Sequence, residues 1–201
     1  GWTGYTWNRQ QWPDPDGFIA WLHSQGLRTA LNLHPADGVW PHEAQYEVMA
    51  RWMGQDPAKG QPVRFDLADP RFVEGYFKIL HHPMEAQGVD FWWLDWQQGD
   101  RCAVPGLDPL PWLNRLHWDD QRRRPGRRPL CFSRYGGLGS GRNPVGFSGD
   151  TVSCWASLAF QPRVTATAAN VLYGYWSHDI GGHMPGPIGP ELFLRWLPSG
   201  A

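Results

Sequence analysis

The stretch VDFWWLD, residues 89–95, is a continuous apolar run closed by a carboxylate. It is too short for a typical helix and shows no polar alternation, which is the pattern of a strand buried on both faces of a parallel sheet. That reading constrains the rest of the chain, because parallel neighbours need long crossovers, usually helices. The flanking segments supply them. DPDGFIAWLHSQG (14–26) has apolar residues at Phe18, Ile19, Trp21 and Leu22, Asp14 as a cap and Gly26 as a stop, and predicts a helix. TALNLHP (29–35) predicts a short strand, and ADPRFVEGYFKILHHPMEAQG (68–88) and residues 108–124 predict helices. PLCFSR (129–134) and VGFSGD (145–150) predict strands, TVSCWASLAF and RVTATAANVLYG helices, YWSHD (175–179) a last strand, and PELFLRWL the start of a helix.

Five strands alternating with helices predict an α/β fold with parallel strands, either doubly wound or part of a (β/α)8 TIM barrel. A full barrel takes about 250 residues and eight βα units; about five units are legible in these 201 residues. Each predicted strand ends in polar groups: Asn32 and His34, Asp95, Arg134, Asp150, then His178 and Asp179. In a barrel such ends gather at the rim where sites are built. The chain does not begin with Met and stops soon after its last predicted helix starts. The expectation is therefore one segment, 1–201, of a larger barrel, truncated at both ends and with its localisation unread.

Charge excludes some functions. Eighteen basic against nineteen acidic residues leave a formal charge of −1, so no global field recruits nucleic acid or an anionic membrane. The basic run RRRPGRR (122–128) reads as a solvated loop. No stretch approaches the roughly 18 apolar residues of a membrane span. Cys102, Cys131 and Cys154 are an odd number without C-x-x-C spacing, so they read as small core residues rather than a disulfide framework or zinc site. The 14 Trp residues stand out. A Trp ring grips the C–H face of a sugar as readily as it fills a core, and composition alone leaves both open.

A carboxylate at the mouth of an apolar strand costs desolvation energy unless it is compensated, so Asp95 carries information. Asp150, within FSGDT, repeats the placement two strands later. Two carboxylates facing one cavity are the minimal equipment for glycoside cleavage, one attacking or activating water and the other protonating the leaving oxygen. Arg134 lies on the strand between them and suits sugar hydroxyls, while Trp93 and Trp96 bracket Asp95 as candidate stacking walls. If Asp95 faces a lumen, strand alternation puts Trp93 on that side and turns Trp92 and Leu94 toward the helices.

Three rival readings are weaker. A metal-dependent hydrolase would use His34, Asp37, His81, His82, His178, Asp179 and His183, yet His81-His82 falls at a predicted helix end away from the rim and the 178–183 spacing fits no usual ligand set. The Gly-rich GGLGSGRNP (136–144) lacks the Lys-Ser/Thr ending of a phosphate loop. A carbohydrate-binding module without turnover would keep the aromatic residues but has no need of two rim acids.

The segments WPDPDGF, FWWLDW, SRYGG, FSGDT, WSHDIGGH and ELFLRW, in that order and over nearly the whole chain, resemble the motifs of glycoside hydrolase family 31. The resemblance implies a retaining α-glycoside hydrolase, with an α-glucosidase as the expected activity and an α-linked oligosaccharide or glycoside as substrate, and with no metal or organic cofactor. By position it implies Asp95 as nucleophile and Asp150 as acid/base. It also implies Arg134 as the arginine that binds the sugar in subsite −1, Trp93 and Phe147 as pocket aromatics, and Asp179 as the partly structural Asp of the last motif. The chain departs from the family at Trp96-Gln97-Gln98, where Met-Asn-Glu or similar is frequent, and at His183, where Phe is usual. Both departures bear on the pocket wall and hence on substrate choice. Oligomeric state is not legible.

Overall fold

The computed structural model describes residues 2–96, 98–99, 102–134, 137–143, 145–187 and 189–200. Gln97, Tyr135, Gly136 and Pro144, which the motif readings include, lie outside the described residues. The chain divides into two compact units, Gly1–Cys131 and Phe132–Ala201.

In the first unit, α1 (Pro15–Ser24) starts where expected: the Asp14 carboxylate accepts the Gly17 N–H at 2.9 Å and Pro15 opens the first turn. β1 (Ala30–Leu33) and β2 (Phe91–Leu94) pair in parallel, from Ala30 opposite Phe91 to Leu33 opposite Leu94. Alternation along β2 follows expectation. Trp92 and Leu94 are buried in the main core with Leu33, Ile19, Phe72 and Tyr76, whereas Phe91 and Trp93 are half-buried. Between these strands lie α2 (Tyr46–Trp52), which the apolar pattern had not revealed, and an antiparallel bridge between Val39 and Val63.

The predicted helix over 68–88 forms in three parts: α3 (Pro70–Gly75), a π-helical segment (Tyr76–His81) and α4 (His82–Gln87). Pro83 explains the middle part. It has no N–H to donate and its ring crowds the carbonyl four residues back, and wider π turns just ahead of it absorb the mismatch. His81-His82 thus sits inside a continuous helical stretch rather than at its end. Trp92 ties β2 to this layer by donating its indole N–H to Glu85 Oε1 at 2.9 Å. His81 is fully buried against Trp92, Tyr76 and His117, its Nδ1–H donated to the Tyr76 carbonyl at 2.6 Å. Burial pushes its pKa down to about 3.

α5 (Pro109–Gln121) is capped by Asp108. The basic run that follows is not simply a solvated loop. Arg124 Nη1 donates to the Asp90 carbonyl at 2.8 Å, Arg127 Nη1 pairs with Asp90 Oδ1 at 2.6 Å, and Arg123 pairs with Glu85 and Asp120. The reason is the buried Asp90 carboxylate, which also takes the Thr29 N–H at 2.9 Å and faces His23 Nε2 at 2.7 Å. An acid buried beside β2 needs such partners.

β3 (Cys131–Arg134), which enters the second unit at Phe132, runs parallel to β4 (Gly146–Phe147), and β4 to β5 (Trp176–Ser177), with Arg134 opposite Phe147 and Phe147 opposite Ser177. β4 and β5 are shorter than their predicted spans. Gly146 is required there, since a Cβ would stand 2.4 Å from the Tyr173 ring and 2.7 Å from that of Trp176. One helix, α6 (Trp155–Asn170), replaces the helical reading of 151–174, and it contains Pro162. Residues before it are extended: Val152 bridges Met184 in parallel, and Cys154 caps the helix with φ −152°. Of the three free cysteines, Cys131 is buried as expected, whereas Cys102 and Cys154 are half-buried. α7 (Pro190–Gly200) buries Leu192 and Trp196. Among the described residues no helix is long and apolar enough to cross a membrane.

Candidate active site

In the first unit the candidate residues meet where β1 and β2 end. The Asp95 N–H still joins the ladder, donating to Leu33 O at 3.0 Å. Its carboxylate then receives donors from the neighbouring strand end. Asn32, level with Trp93 in the register, donates Nδ2–H to Oδ2 at 3.0 Å, and His34 Nε2 lies 3.3 Å from the same oxygen. Oδ1 accepts the Trp96 N–H at 2.8 Å. The Asp95 side chain is 14% exposed and that of His34 12%, so the pair is largely shielded yet reachable.

Beyond Asp95 the backbone turns sharply. Trp96 (φ 62°) and Gln98 (φ 67°) both adopt the left-handed region, which costs a side-chain-bearing residue about 1 kcal/mol or more each. Gln98 stabilises the turn. Its buried amide donates to the carbonyls of Asp95 (2.6 Å) and Trp96 (2.9 Å) and accepts the Ala36 N–H at 2.9 Å. Trp96 is 53% exposed and meets Trp2 edge-on at 6.5 Å. Trp2, His34, Asp37, Trp96 and Gln98 line a cleft of about 430 Å³. Sequence reasoning picked out Trp93, Asp95 and Trp96 here, but assigned nothing to Trp2. Nor did it pair His34 with Asp95, although a His-Pro directly after a strand was a visible signal.

In the second unit Arg134 Nη2 donates to Asp150 Oδ1 at 2.7 Å. Arg134 is buried and its guanidinium carbon lies 5.4 Å from the centre of the Phe147 ring, which packs edge-on against Phe132 at 5.6 Å. Gly149, with φ 89°, turns the chain so that Asp150 reaches this arginine. Asp179 and His183 join the group: one ligating atom from each of Asp150, Asp179 and His183 lies within 4.8 Å of the others. The Thr151 carbonyl accepts the N–H groups of His183 (2.8 Å) and Met184 (2.9 Å), which holds the 179–184 turn beside Asp150. Arg134, Phe147, Asp150 and Asp179 therefore form one cluster in this unit, while Trp93, Asp95 and Trp96 stand together in the other.

Among the described residues, two groups have donor sets that could hold a metal: Asp150, Asp179 and His183, and in the first unit His82, Glu85 and Asp120. In both a guanidinium already supplies positive charge, from Arg134 and Arg123 respectively.

The family model for the glycosyl hydrolases family 31 TIM-barrel domain matches residues 1–201. A 1,3-alpha-isomaltosidase of Kribbella flavida is 28% identical over 92% of this chain, and an alpha-xylosidase of Saccharolobus solfataricus is 20% identical over 98%. The chain spans about 29% of the length of each of these relatives. Among solved structures, a xylosidase from Aspergillus niger superposes with a TM-score of 0.74 at 18% identity, over 98% of this chain and 35% of that one. An alpha-xylosidase from Xanthomonas citri gives 0.70 at 21%, over 92% and 24%. These likenesses bear out the expected α/β fold, a part of a (β/α)8 barrel with parallel strands. Matched over its full length, the chain belongs to the glycosyl hydrolases family 31 TIM-barrel domain.

Proposed function

We propose that residues 1–201 form one segment of the catalytic barrel of a retaining α-glycoside hydrolase that acts on α-linked oligosaccharides or glycosides. The observation that carries this reading is the Asp95 carboxylate at the end of β2. Asn32 and the Trp96 N–H donate to it, and His34 Nε2 lies 3.3 Å away, beside a Trp-lined cleft, at the position the family motif gives its nucleophile. A carboxylate shielded and oriented in this way is equipped to attack.

In the proposed cycle an Asp95 oxygen bonds to the anomeric carbon as the glycosidic C–O bond breaks, and Asp150 gives its proton to the leaving oxygen. Water then attacks the same carbon, Asp150 takes the water's proton, and the Asp95 carboxylate leaves. Arg134, now on Asp150, would exchange that partner for a sugar hydroxyl and so release Asp150 to carry a proton. Trp93, Trp96 and Phe147 would offer ring faces to the sugar, and Asp179 would hold a hydroxyl or the 179–184 turn. For the sugar we propose an α-glucosyl unit; the names of the relatives, an isomaltosidase and alpha-xylosidases, make α-xylosyl the comparison to test.

The test assays the full-length protein on aryl α-glucoside, aryl α-xyloside and α-linked oligosaccharides, with Asp95→Asn as control. Turnover that survives Asp95→Asn would sink the mechanism. Sugar binding without turnover on any substrate would favour the carbohydrate-binding alternative, and faster xyloside than glucoside hydrolysis would overturn the sugar assignment alone.

A further inference from the structure

The buried Asp90 accounts for only part of the positive charge gathered around it. Arg28, Arg124, Arg127 and Arg128 line one pocket of about 250 Å³ together with Asp90, so four guanidinium groups face a single carboxylate. That carboxylate is 5% exposed and is satisfied from within the fold. Its Oδ1 pairs with Arg127 at 2.6 Å, while Oδ2 takes the Thr29 N–H and faces His23. Arg124 donates to the Asp90 carbonyl, a neutral acceptor. Arg28 stays 3.8 Å from Oδ1 with its side chain 64% exposed. Among the described residues, Arg128 has no hydrogen-bond or ion-pair partner. In a chain whose formal charge is −1, this is a local excess of positive charge inside a concave site.

The pocket is built at the amino ends of β1 and β2, since Arg28 precedes β1 and Asp90 precedes β2, whereas Asp95 follows β2 at its other end. The basic loop closes it and is anchored on both sides. Gln121, the last residue of α5, is buried; its Oε1 accepts the Leu130 N–H at 3.0 Å and its Nε2–H donates to the Leu130 carbonyl at 2.8 Å. Holding like charges together on an anchored loop costs repulsion that a bound anion would relieve. Guanidinium forks match the oxygens of a phosphate in pairs, and several of them suit its three or four oxygens better than the two of a carboxylate. Phe91 and Leu130 complete the lining with an apolar wall, against which the carbon skeleton of a phosphate ester can lie.

We propose that this pocket binds a phosphate group, as the free ion or as the ester of a small molecule, with Arg28 and Arg128 as the arginines free to turn to it. Arg127 and Arg124 contribute charge while keeping their bonds to Asp90. The site lies away from Asp95 and does not depend on the reading of that residue as nucleophile.

The experiment uses the full-length protein and phenylglyoxal, which modifies accessible arginines, with modification rates read residue by residue by peptide mass spectrometry. Arg51, 63% exposed and paired with Glu47 on α2, is the internal reference. Against potassium chloride at equal ionic strength, inorganic phosphate should slow modification of Arg28 and Arg128 saturably and leave Arg51 unchanged. Half the effect is expected at about 1 mM, the strength of two or three charge-assisted hydrogen bonds. Arg128→Gln leaves every bond to Asp90 in place, and in this variant protection of Arg28 should need about tenfold more phosphate, the worth of one such bond. Should that variant fail to fold, Arg28→Gln gives the reciprocal reading at Arg128. A hexose 6-phosphate that protects at lower concentration than the inorganic ion assigns the ester as occupant, and protection by the inorganic ion at equal or lower concentration assigns the free ion. Absence of protection by either, equal protection of Arg51, or protection of Arg28 unchanged in Arg128→Gln overturns the proposal.

Discussion

The buried His81 makes acid sensitivity a calculable property of the first unit. Its folded-state pKa is about 3 against an ordinary value of 6.5, because burial opposes the charged ring. Burial also lowers the pKa of His117 well below the usual range. For a base whose folded pKa is depressed, the folded state binds fewer protons than the unfolded chain between the two values. Stability is therefore complete above about pH 6.5 and lost as pH falls toward 3. Each such histidine withdraws about 1.4 kcal/mol per pH unit within that window, so at pH 5 His81 alone costs about 2 kcal/mol relative to pH 7.5. His117 acts in the same direction. The window from 6.5 to 5 is informative because unperturbed carboxylates, with pKa near 4, stay mostly ionised there. The assay is urea unfolding of wild type and His81→Phe at pH 7.5, 6.5, 5.75 and 5. The Phe ring keeps the contact with Trp92 and Tyr76 but leaves the Tyr76 carbonyl without its Nδ1–H donor, so the variant should be less stable at pH 7.5 by about 1–3 kcal/mol. That deficit should shrink by about 2 kcal/mol by pH 5, since the variant no longer titrates at this site. A deficit independent of pH would refute the assignment of His81 as a buried neutral base.

Three further outcomes are expected. Asp150→Asn should slow hydrolysis of glycosides with poor leaving groups by at least about hundredfold and that of dinitrophenyl glycosides far less, as Brønsted analysis would reveal, because an activated leaving group needs little protonation. Asp90→Asn should destabilise the first unit by about 2–4 kcal/mol in urea titrations, since it leaves Arg127 and His23 facing a neutral amide in a largely buried site. Gln98→Ala should lower kcat/KM by about tenfold while costing about 1–3 kcal/mol of stability, because three hydrogen bonds that fix the turn after Asp95 disappear.

The sequence made the scaffold readable where burial is continuous. FWWL is a strand whichever way it is approached, and Asp14 with Pro15 and Gly26 mark α1 at both ends. The short strands were harder: β4 and β5 hold two residues each, and beyond them the Ser148 N–H still reaches Ser177 O at 3.1 Å before the chain turns at Gly149. α2 escaped notice because it is only seven residues long and its apolar residues, Tyr46, Val48, Met49, Ala50 and Trp52, do not fall on one clear stripe. The π-helical segment had a cause in view, Pro83, but no local pattern tells a kink from a widened turn. At the candidate site the acids and Arg134 stood out by residue type and position. The Trp2–His34 stack did not, since it joins residues 32 apart with α1 and β1 between them, and composition cannot report which Trp is a wall and which is a brace.

The placement of Asp95 can now be given a physical reason. If its only task were to end β2, a glycine or asparagine would turn the chain at lower cost, for the next residues enter the left-handed region with Trp and Gln side chains. Asp95 remains in the ladder through its N–H, so the strand fixes its Cα, and departs from regular structure only afterwards. The Asn32 amide donates to one carboxylate oxygen, while the Trp96 N–H, delivered by the strained turn, holds the other. Strain at Trp96 and Gln98 is thereby the means by which a backbone donor and an exposed indole are both brought to the same acid. Local cost is offset by the buried hydrogen bonds of Gln98, so the expense falls on stability and leaves the carboxylate geometry fixed.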